Sequence, residues 1–196
     1  IRLEDTDQKR EVAGSGDSLV DQLNKFGVSP DEGYLGTDKE KGNYGPYVQS
    51  QRANIYKVVI KYMLSKNMAY PCFCSAEELT EMRKVQEANK ENFGYYANYA
   101  KCSKLSVEEA IEKIENFVIR FRSQGDYHNK VAIDDAIRGH IEMAENDQHL
   151  VIYKSDGLPT YHFAHLVDDH FMRTTHVTRG EEWMPSLPMH IELFNS

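Results

Sequence analysis

The chain has 196 residues, of which 40% are hydrophobic and 28% are charged, and its formal net charge at pH 7 is −8. The composition is ordinary for a soluble globular protein, and no apolar run approaches the length of a membrane span. The acidic balance argues against a general nucleic-acid binder held by a broad basic face. Three cysteines are too few for a disulfide framework, which favours a reducing, cytoplasmic compartment.

The first part of the chain predicts a strand, a helix, a loop and a second helix. Residues 1–3 are apolar enough to end a buried strand. Ser18 is predicted to cap a helix, with Asp21 in the capping-box position. Residues 28–45 are polar and rich in turn formers, so they are predicted to be a surface loop. Residues 51–66 have an apolar stripe at helical spacing and predict a helix.

The middle of the chain predicts a mixture of helices and strands. Capping-box patterns begin at Ser75 and Ser106, and each predicts a helix start. Alternation of apolar and polar residues predicts that one face of a strand near Phe117 packs on a core. Strands are predicted at residues 68–74, 117–122, 130–133 and 137–143.

The last part of the chain predicts a strand, a helix and another strand. Residues 150–153 are β-prone, and apolar residues then recur at helical spacing from Tyr161. Residues 174–178 predict a strand, and Arg179 follows its end. In an open parallel sheet, ligands bind beyond the carboxyl ends of the strands. Arg179 is therefore expected to meet an anionic small molecule, and the element order predicts an α/β fold.

Three motifs occur in an order and at a spacing that resemble the bacterial glutamyl-tRNA synthetases, which are class I aminoacyl-tRNA synthetases. They are residues 1–7 (IRLEDTD), residues 44–50 (YGPYVQS) and residues 154–183. The resemblance implies a glutamate–tRNA ligase, which activates glutamate with ATP and transfers it to the 3′-terminal ribose of tRNA(Glu). Since the chain begins in mid-strand and ends without a stop signal, it is expected to be an internal fragment of the catalytic region.

The resemblance also implies a domain organisation. It predicts a Rossmann-type parallel-sheet nucleotide-binding domain, split by an α+β connective insertion. The first part of this domain would be residues 1–70, the insertion residues 71–149, and the second part residues 150–196. The insertion would bind the tRNA acceptor stem, although it has more acidic than basic residues. Its charge therefore gives no independent support for RNA binding.

Four residues are implied by the resemblance to bind glutamate. Glu4 would bind the α-ammonium group, and Tyr161 and His165 would help to bind the substrate from one face of a helix. Arg179 would hold the γ-carboxylate through two parallel hydrogen bonds. Without the resemblance, Glu4 could equally be an acid that caps the next element. Without the resemblance, Arg179 would be interpreted as a surface arginine paired with Glu181 or Glu182.

The same resemblance implies that Glu182 and Trp183 lie near the ribose and adenine of ATP, which would be used with Mg²⁺. Trp183 could also be a core aromatic residue. Class I synthetases bind ATP with a His-Ile-Gly-His-type motif and a Lys-Met-Ser-Lys-type loop, and neither occurs in this chain. The main catalytic groups are therefore not among these residues, and the chain alone is expected to be inactive.

A zinc site is possible at Cys72, Cys74 and Cys102, because thiolates favour zinc. Some members of the family hold a structural zinc with such cysteines and a fourth ligand shortly afterwards. Lys104 occupies that last position here and is a poor ligand, and Tyr99 could replace it only if the loop allowed. Three buried, reduced cysteines are the preferred interpretation, with no metal.

Three alternative functions remain open from the sequence. A paralogue of the family that lacks the anticodon-binding domain is the nearest. A metal-dependent hydrolase is suggested by one group of side chains on the predicted helix, although its spacing is not that of a zincin. This group is His162, His165, Asp168, Asp169 and His170. A non-catalytic tRNA-binding module is the third alternative, and no membrane partner is expected.

Overall fold

The computed structural model describes residues 1–6, 12–113 and 116–196, so Asp7 of the first motif lies outside the described residues. The helices are α1 (Ser15–Lys25), α2 (Ala53–Ser65), α3 (Ala76–Ala88), α4 (Val107–Glu112), α5 (Tyr161–Phe171) and α6 (Leu187–Asn195). The strands are β1 (Gly33–Gly36), β2 (Lys39–Lys41), β3 (Ala69–Cys72), β4 (Val118–Phe121), β5 (Lys130–Asp135), β6 (Gly139–Ala144) and β7 (Val151–Tyr153). Short 3₁₀ helices lie at Gln49–Arg52, Lys101–Lys104 and Glu181–Ser186.

The chain forms two compact units. The first unit consists of Ile1–Val59 and Gly157–Val177, and the second consists of Ile60–Asp156 and Thr178–Ser196. These units reflect packing alone, and the predicted domain boundaries near residues 70 and 150 stay a prediction.

The strands pair almost entirely in the antiparallel sense. In the second unit, β3, β4 and β7 form a three-stranded antiparallel sheet, and β5 and β6 form a hairpin. In the first unit, β1 and β2 form a short antiparallel hairpin. Among the described residues, the one parallel pairing is the isolated bridge between Leu3 and Val48. The chain thus combines helices and sheets as predicted, but its described ladders are not those of a parallel sheet.

Several predicted elements are confirmed. Ser75 and Ser106 each accept a hydrogen bond from the backbone of the third helical residue, and the capping boxes of α3 and α4 are complete. The predicted strands at 130–133 and 137–143 are the two arms of the β5–β6 hairpin. In β4, Ile119 and Phe121 are buried, as the alternating pattern predicts.

The start of α1 differs from the prediction. The helix begins at Ser15, and Ser18 lies inside it, so Ser18 does not cap the helix. Gly14 precedes the helix with φ at 77°, a left-handed conformation that glycine adopts without steric cost. The turn at Gly14 therefore lets the helix begin four residues earlier than the predicted cap at Ser18 indicated.

The loop predicted at residues 28–45 contains the β1–β2 hairpin. Gly33 has φ at 119° and lies against the backbone of Ile1, where a Cβ atom would overlap the carbonyl oxygen. The Tyr34 N–H donates to that same carbonyl oxygen at 2.9 Å. The sequence does not predict this hairpin, because the segment is polar and rich in glycine and has no alternation of apolar side chains. The hairpin is held by backbone hydrogen bonds, which do not depend on the side chains.

The strand predicted at residues 174–178 is wrong. These residues are exposed and have no regular secondary structure in the described part of the chain. β-Branched residues favour a strand only where a neighbouring strand offers hydrogen bonds and packing. No described strand pairs with this segment, so its β propensity has no effect.

Each unit has its own apolar core. The first unit packs Val20, Tyr34 and Tyr47 against partly buried neighbours that include Leu3 and Val48. The second unit has a core beside β3 that consists of Tyr70, Cys72, Tyr95, Ala100 and Cys102. Among the described residues, no helix has the length and apolarity needed to cross a bilayer.

Candidate functional site

Backbone pairing brings the first two motifs together in the first unit. The Leu3 N–H donates to the Tyr47 carbonyl at 2.9 Å, and the Gln49 N–H donates to the Leu3 carbonyl at 3.0 Å. Side chains alternate along an extended segment, so Arg2 and Glu4 point away from the side that Leu3 occupies. This pairing sets Arg2 and Glu4 on a common face.

Arg2 is the centre of a cluster of polar side chains on that face. Its guanidinium donates to Glu4 at 2.9 Å, to Asp169 at 2.7 Å and to Nδ1 of His165 at 3.1 Å. Burial acts to lower the pKa of Arg2, but its hydrogen bonds to the two carboxylates raise that pKa above its ordinary value. The Arg2 side chain is 13% exposed and that of Glu4 is 34% exposed. The cluster is thus buried on one side and open to solvent at Glu4.

Helix α5 adds two more of the predicted residues to this cluster. The rings of Tyr161 and His165 are stacked, with centroids 5.8 Å apart and planes inclined by 10°. Nε2 of His165 lies 3.1 Å from the Asp169 carboxylate one turn further along. The spacing of four residues places both aromatic rings on one helix face, as predicted. Three of the four predicted glutamate-binding residues therefore come together in the first unit.

Asp168 organises the layer beneath this cluster. It is fully buried and accepts hydrogen bonds from Gln49 at 2.9 Å, Arg52 at 2.6 Å and Tyr56 at 2.9 Å. Burial, and then the nearby Asp168 carboxylate, raise the pKa of Tyr56, so its hydroxyl keeps its proton. The Arg52 guanidinium also donates to the Tyr44 and Pro46 carbonyl oxygens, at 3.0 and 2.8 Å. The second motif is thereby tied to α5.

Taken together, the two layers contain more negative than positive side chains. The cations are Arg2 and Arg52, and the carboxylates are Glu4, Asp168 and Asp169. Two positive and three negative groups leave one negative charge when His165 is neutral. Glu4 is the most exposed carboxylate of the three. A small organic cation such as an ammonium group would balance the cluster there.

This geometry opposes a metal site on α5. Both Asp168 oxygens accept hydrogen bonds from protein donors, and Asp169 is paired with Arg2. A divalent cation would have to displace a guanidinium from a buried carboxylate and would be repelled by it. The His170 ring packs edge-on against Phe171. The hydrolase alternative therefore has no geometric support.

The remaining predicted residues lie in the second unit. Arg179 is half-buried and precedes the 3₁₀ helix that contains Glu182 and Trp183. Glu181, one of the two acids predicted as possible partners of Arg179, contacts Arg138 at 2.5 Å. Trp183 is 37% exposed, which is more than a core aromatic residue would be.

The three cysteines converge beside β3. Their sulfur atoms all lie within 4.8 Å of one another, and those of Cys74 and Cys102 are 3.7 Å apart. The hydroxyl of Tyr95 is 3.2 Å from the Cys74 sulfur and 3.5 Å from that of Cys72. Lys104 is exposed, and the Tyr99 hydroxyl donates to Glu91. The side chain that lies next to the sulfurs is therefore Tyr95, and not Lys104 or Tyr99 as the sequence suggested.

The thiols of this cluster differ in acidity. Burial acts to raise the pKa of Cys72, but hydrogen bonds from Tyr95, the Cys74 backbone and Arg120 outweigh it and lower that pKa. Burial and the neighbouring cysteines raise the pKa of Cys74 to about 12. The three sulfurs are close enough to be three ligands of a zinc ion, but the fourth ligand would have to be a phenol, which is a weak one. Such an ion would tie the end of β3 to the Cys102 turn.

Sequence reasoning missed several residues of both clusters. The sequence gives Arg2 no role beyond its place in the first motif, and it indicates Asp168 and Asp169 only as possible metal ligands. An adjacent pair of acids on the apolar face of a helix predicts buried partners of opposite charge, and this signal was available. Tyr95 offered no such signal, because only the fold brings it to the cysteines.

Comparisons with known proteins show the family of the chain. The whole chain, residues 1–196, matches the tRNA synthetases class I (E and Q), catalytic domain, and the chain belongs to that family. It is 51% identical to the glutamate–tRNA ligase of Acetivibrio thermocellus over 199 residues, which cover 100% of this chain and 36% of that protein. It is 52% identical to the glutamate–tRNA ligase of Clostridium perfringens over 197 residues, with 99% and 36% covered.

A solved structure is also similar. The crystal structure of a glutamate tRNA ligase from Elizabethkingia meningosepticum, in complex with its amino acid, matches with a TM-score of 0.83 and 37% identity. The match covers 99% of this chain and 39% of that one. The chain thus spans a little over one third of the length of the relatives that it matches.

Proposed function

We propose that the protein containing this chain is a glutamate–tRNA ligase. It would use ATP to form glutamyl-adenylate and would then transfer glutamate to the 3′-terminal ribose of tRNA(Glu). The observation that carries the proposal is the convergence of Glu4, His165 and Tyr161 around Arg2. Membership of the class I synthetases for glutamate and glutamine supports it.

The glutamate-binding residues would divide the substrate between them. Glu4 would bind the α-ammonium, because it carries the exposed part of an unbalanced negative charge. Tyr161 and His165 would form one wall of the pocket through their stacked rings. Arg179 would bind the γ-carboxylate through two parallel hydrogen bonds and would disfavour glutamine, which is uncharged.

ATP and Mg²⁺ would be substrates of the first step. Glu182 would lie near the ribose, and Trp183 would offer a partly exposed ring to the adenine. In this class of enzyme, catalysis depends on positioning and on stabilising charge at the phosphates. The groups that stabilise this charge would belong to ATP-binding motifs that are not among these 196 residues.

The predicted domain organisation is part of the proposal. Residues 1–70 and 150–196 would be parts of a Rossmann-type domain, and residues 71–149 would be a connective insertion. This insertion would contact the acceptor stem of the tRNA. A cytoplasmic location follows from the proposed role in translation and from the free cysteines.

ATP–pyrophosphate exchange tests the proposal. We expect a protein of the relatives' full length that carries this chain to catalyse exchange with glutamate and tRNA(Glu), but not with glutamine. Charging of tRNA(Glu) with labelled glutamate would separate this function from the alternatives. Glutamate or tRNA binding without turnover would contradict the proposal and support a non-catalytic binding module.

A further inference from the structure

Arg2 connects residues that are far apart in the sequence. Its guanidinium hydrogen-bonds Glu4 in the same extended segment, and it also reaches His165 and Asp169 on α5, more than 160 residues away. Asp169 is 5% exposed, so it is a fixed anchor for this guanidinium. Glu4 and His165 are thus held by one side chain, whose planar group offers its donors at fixed angles.

Arg2 also determines which nitrogen of His165 carries the proton. A guanidinium can only donate hydrogen bonds, so Nδ1 of His165, 3.1 Å away, must accept one. The proton of the neutral ring is then on Nε2, which faces the Asp169 carboxylate at 3.1 Å. Nδ1 of His165 is therefore held by Arg2 and Nε2 lies close to Asp169, while the face of the ring stacks on Tyr161.

We propose that Arg2 is a positioning residue for glutamate, an inference that rests on the proposed function. Arg2 holds the carboxylate of Glu4 and the ring of His165 at a fixed separation before the substrate arrives. A pocket whose charged groups are already in place loses less entropy when the substrate binds. Arg2 acts through Glu4 and His165 and does not itself contact the amino acid.

Steady-state kinetics of Arg2 variants in the full-length protein test this inference. Replacing Arg2 by Met removes charged hydrogen bonds to both residues, and we expect the KM for glutamate to rise about tenfold or more. The KM for ATP and kcat should stay within about threefold of wild type. Arg2→Lys keeps the charge but cannot reach three partners, so its KM for glutamate should be intermediate. Arg83→Met, on the exposed surface of α3, is the matched control and should change neither constant.

A double-mutant cycle distinguishes positioning from general destabilisation. If Arg2 acts through Glu4, then adding Arg2→Met to Glu4→Gln should raise the KM for glutamate by less than about threefold. Independent effects would multiply instead and would overturn the proposal. Asp169→Asn provides a second variant that leaves Arg2 in place but weakens its anchor, and it should raise the same KM severalfold. Thermal denaturation of each variant shows whether it is folded.

The two proposals fail in different ways. If wild-type protein shows no glutamate-dependent exchange, the proposed function is wrong. If wild type is active and Arg179→Ala raises the KM for glutamate, but Arg2→Met, Arg2→Lys and Asp169→Asn all leave it unchanged, only the role of Arg2 is wrong.

Discussion

Arginine serves different purposes at different positions of this chain. Arg52 is almost completely buried and satisfies a buried carboxylate and two carbonyl oxygens, so its role is architectural. Arg2 holds a carboxylate that is partly open to solvent. Arg179 is half-buried and follows an irregular segment. The three arginines thus differ in burial and in the groups that surround them, and the surroundings of Arg52 show that it supports the fold.

Replacement of Arg179 tests its proposed contact with the γ-carboxylate of glutamate. In the full-length protein, Arg179→Ala should weaken glutamate binding by about 3–5 kcal/mol, which is more than a hundredfold, because a desolvated carboxylate loses its partner. A solvated surface arginine would cost less than about 0.5 kcal/mol. The measurements are the KM for glutamate and kcat, with ATP binding as the control. Arg179→Lys should also be impaired, since lysine lacks the planar fork. Near wild-type charging by Arg179→Ala would contradict this role.

Asp168 should be essential for stability. Asp168→Asn keeps the shape of the side chain but leaves the buried Arg52 guanidinium without its counterion. The free energy of unfolding should fall by about 3–5 kcal/mol, as it does when one partner of a buried ion pair is removed. Urea denaturation measures this change. Asp134→Asn is the control, because Asp134 forms an exposed pair with His140 and should contribute less than about 0.5 kcal/mol. Equal effects of the two substitutions would show that the buried network is not important for stability.

At the scale of elements, polar contacts connect two strands of the antiparallel sheet in the second unit to His149. The Tyr70 hydroxyl on β3 is 2.7 Å from Nδ1 of His149, and Arg120 on β4 donates to the His149 carbonyl at 2.9 Å. The Arg120 guanidinium also lies over the Tyr95 ring, 3.7 Å from its centroid. These contacts link β3 and β4 to the residues that precede β7.

The sheet should lose stability in mild acid because of His149. Burial, and then the charges of Arg122 and Arg120, lower the pKa of His149 to about 4 from an ordinary 6.5. Between these values the unfolded chain binds a proton that the folded chain excludes, so stability is present above pH 6.5 and is lost as the pH falls. The contribution of His149 is roughly 3 kcal/mol.

Urea denaturation at pH 7 and pH 4.5 measures this loss. In His149→Gln the difference in unfolding free energy between the two pH values should be smaller than in wild type. His140 is the control, since Asp134 raises its pKa and its side chain is exposed. The slope with pH in His140→Gln should not decrease. The same pH dependence in wild type and His149→Gln would contradict the assignment to His149.

The turn after β3 provides the test for zinc. The cysteine cluster has a suitable shape, but burial strongly raises the pKa of Tyr95, so its hydroxyl would be a weak ligand. We expect less than one zinc per chain in protein purified without chelator. Elemental analysis measures the zinc content, with Cys74→Ser as the comparison. One zinc per chain in wild type, lost in Cys74→Ser, would contradict this expectation.

At the scale of the whole molecule, the absence of the two ATP-binding motifs has a direct consequence. The isolated 196-residue chain should not catalyse ATP–pyrophosphate exchange with glutamate and tRNA(Glu), because the motifs that would stabilise charge on the pyrophosphate leaving group do not occur in its sequence. The full-length protein is the positive control. Clear exchange by the isolated chain would show that these motifs are not required.

The sequence determined the family, most of the elements and the three residues of the first unit that we propose to bind glutamate. The capping boxes of α3 and α4 and the periodicity of α5 depend on neighbours within one or two turns, so local patterns are sufficient to predict them. The placement of Tyr161 and His165 on one face of α5 is predictable for the same reason. The motif match then added Glu4, which no local pattern distinguishes from a capping acid.

Only the tertiary structure determined the contacts between distant segments. The pairing of Leu3 with Val48, the three hydrogen bonds of Arg2 and the approach of Tyr95 to the cysteines join residues that no periodicity relates. The segment at residues 174–178 shows the converse, because its β propensity has no effect without a described partner strand. Propensity is a property of the local chain, whereas strand pairing and buried ion pairs depend on which distant groups the fold brings within hydrogen-bonding distance.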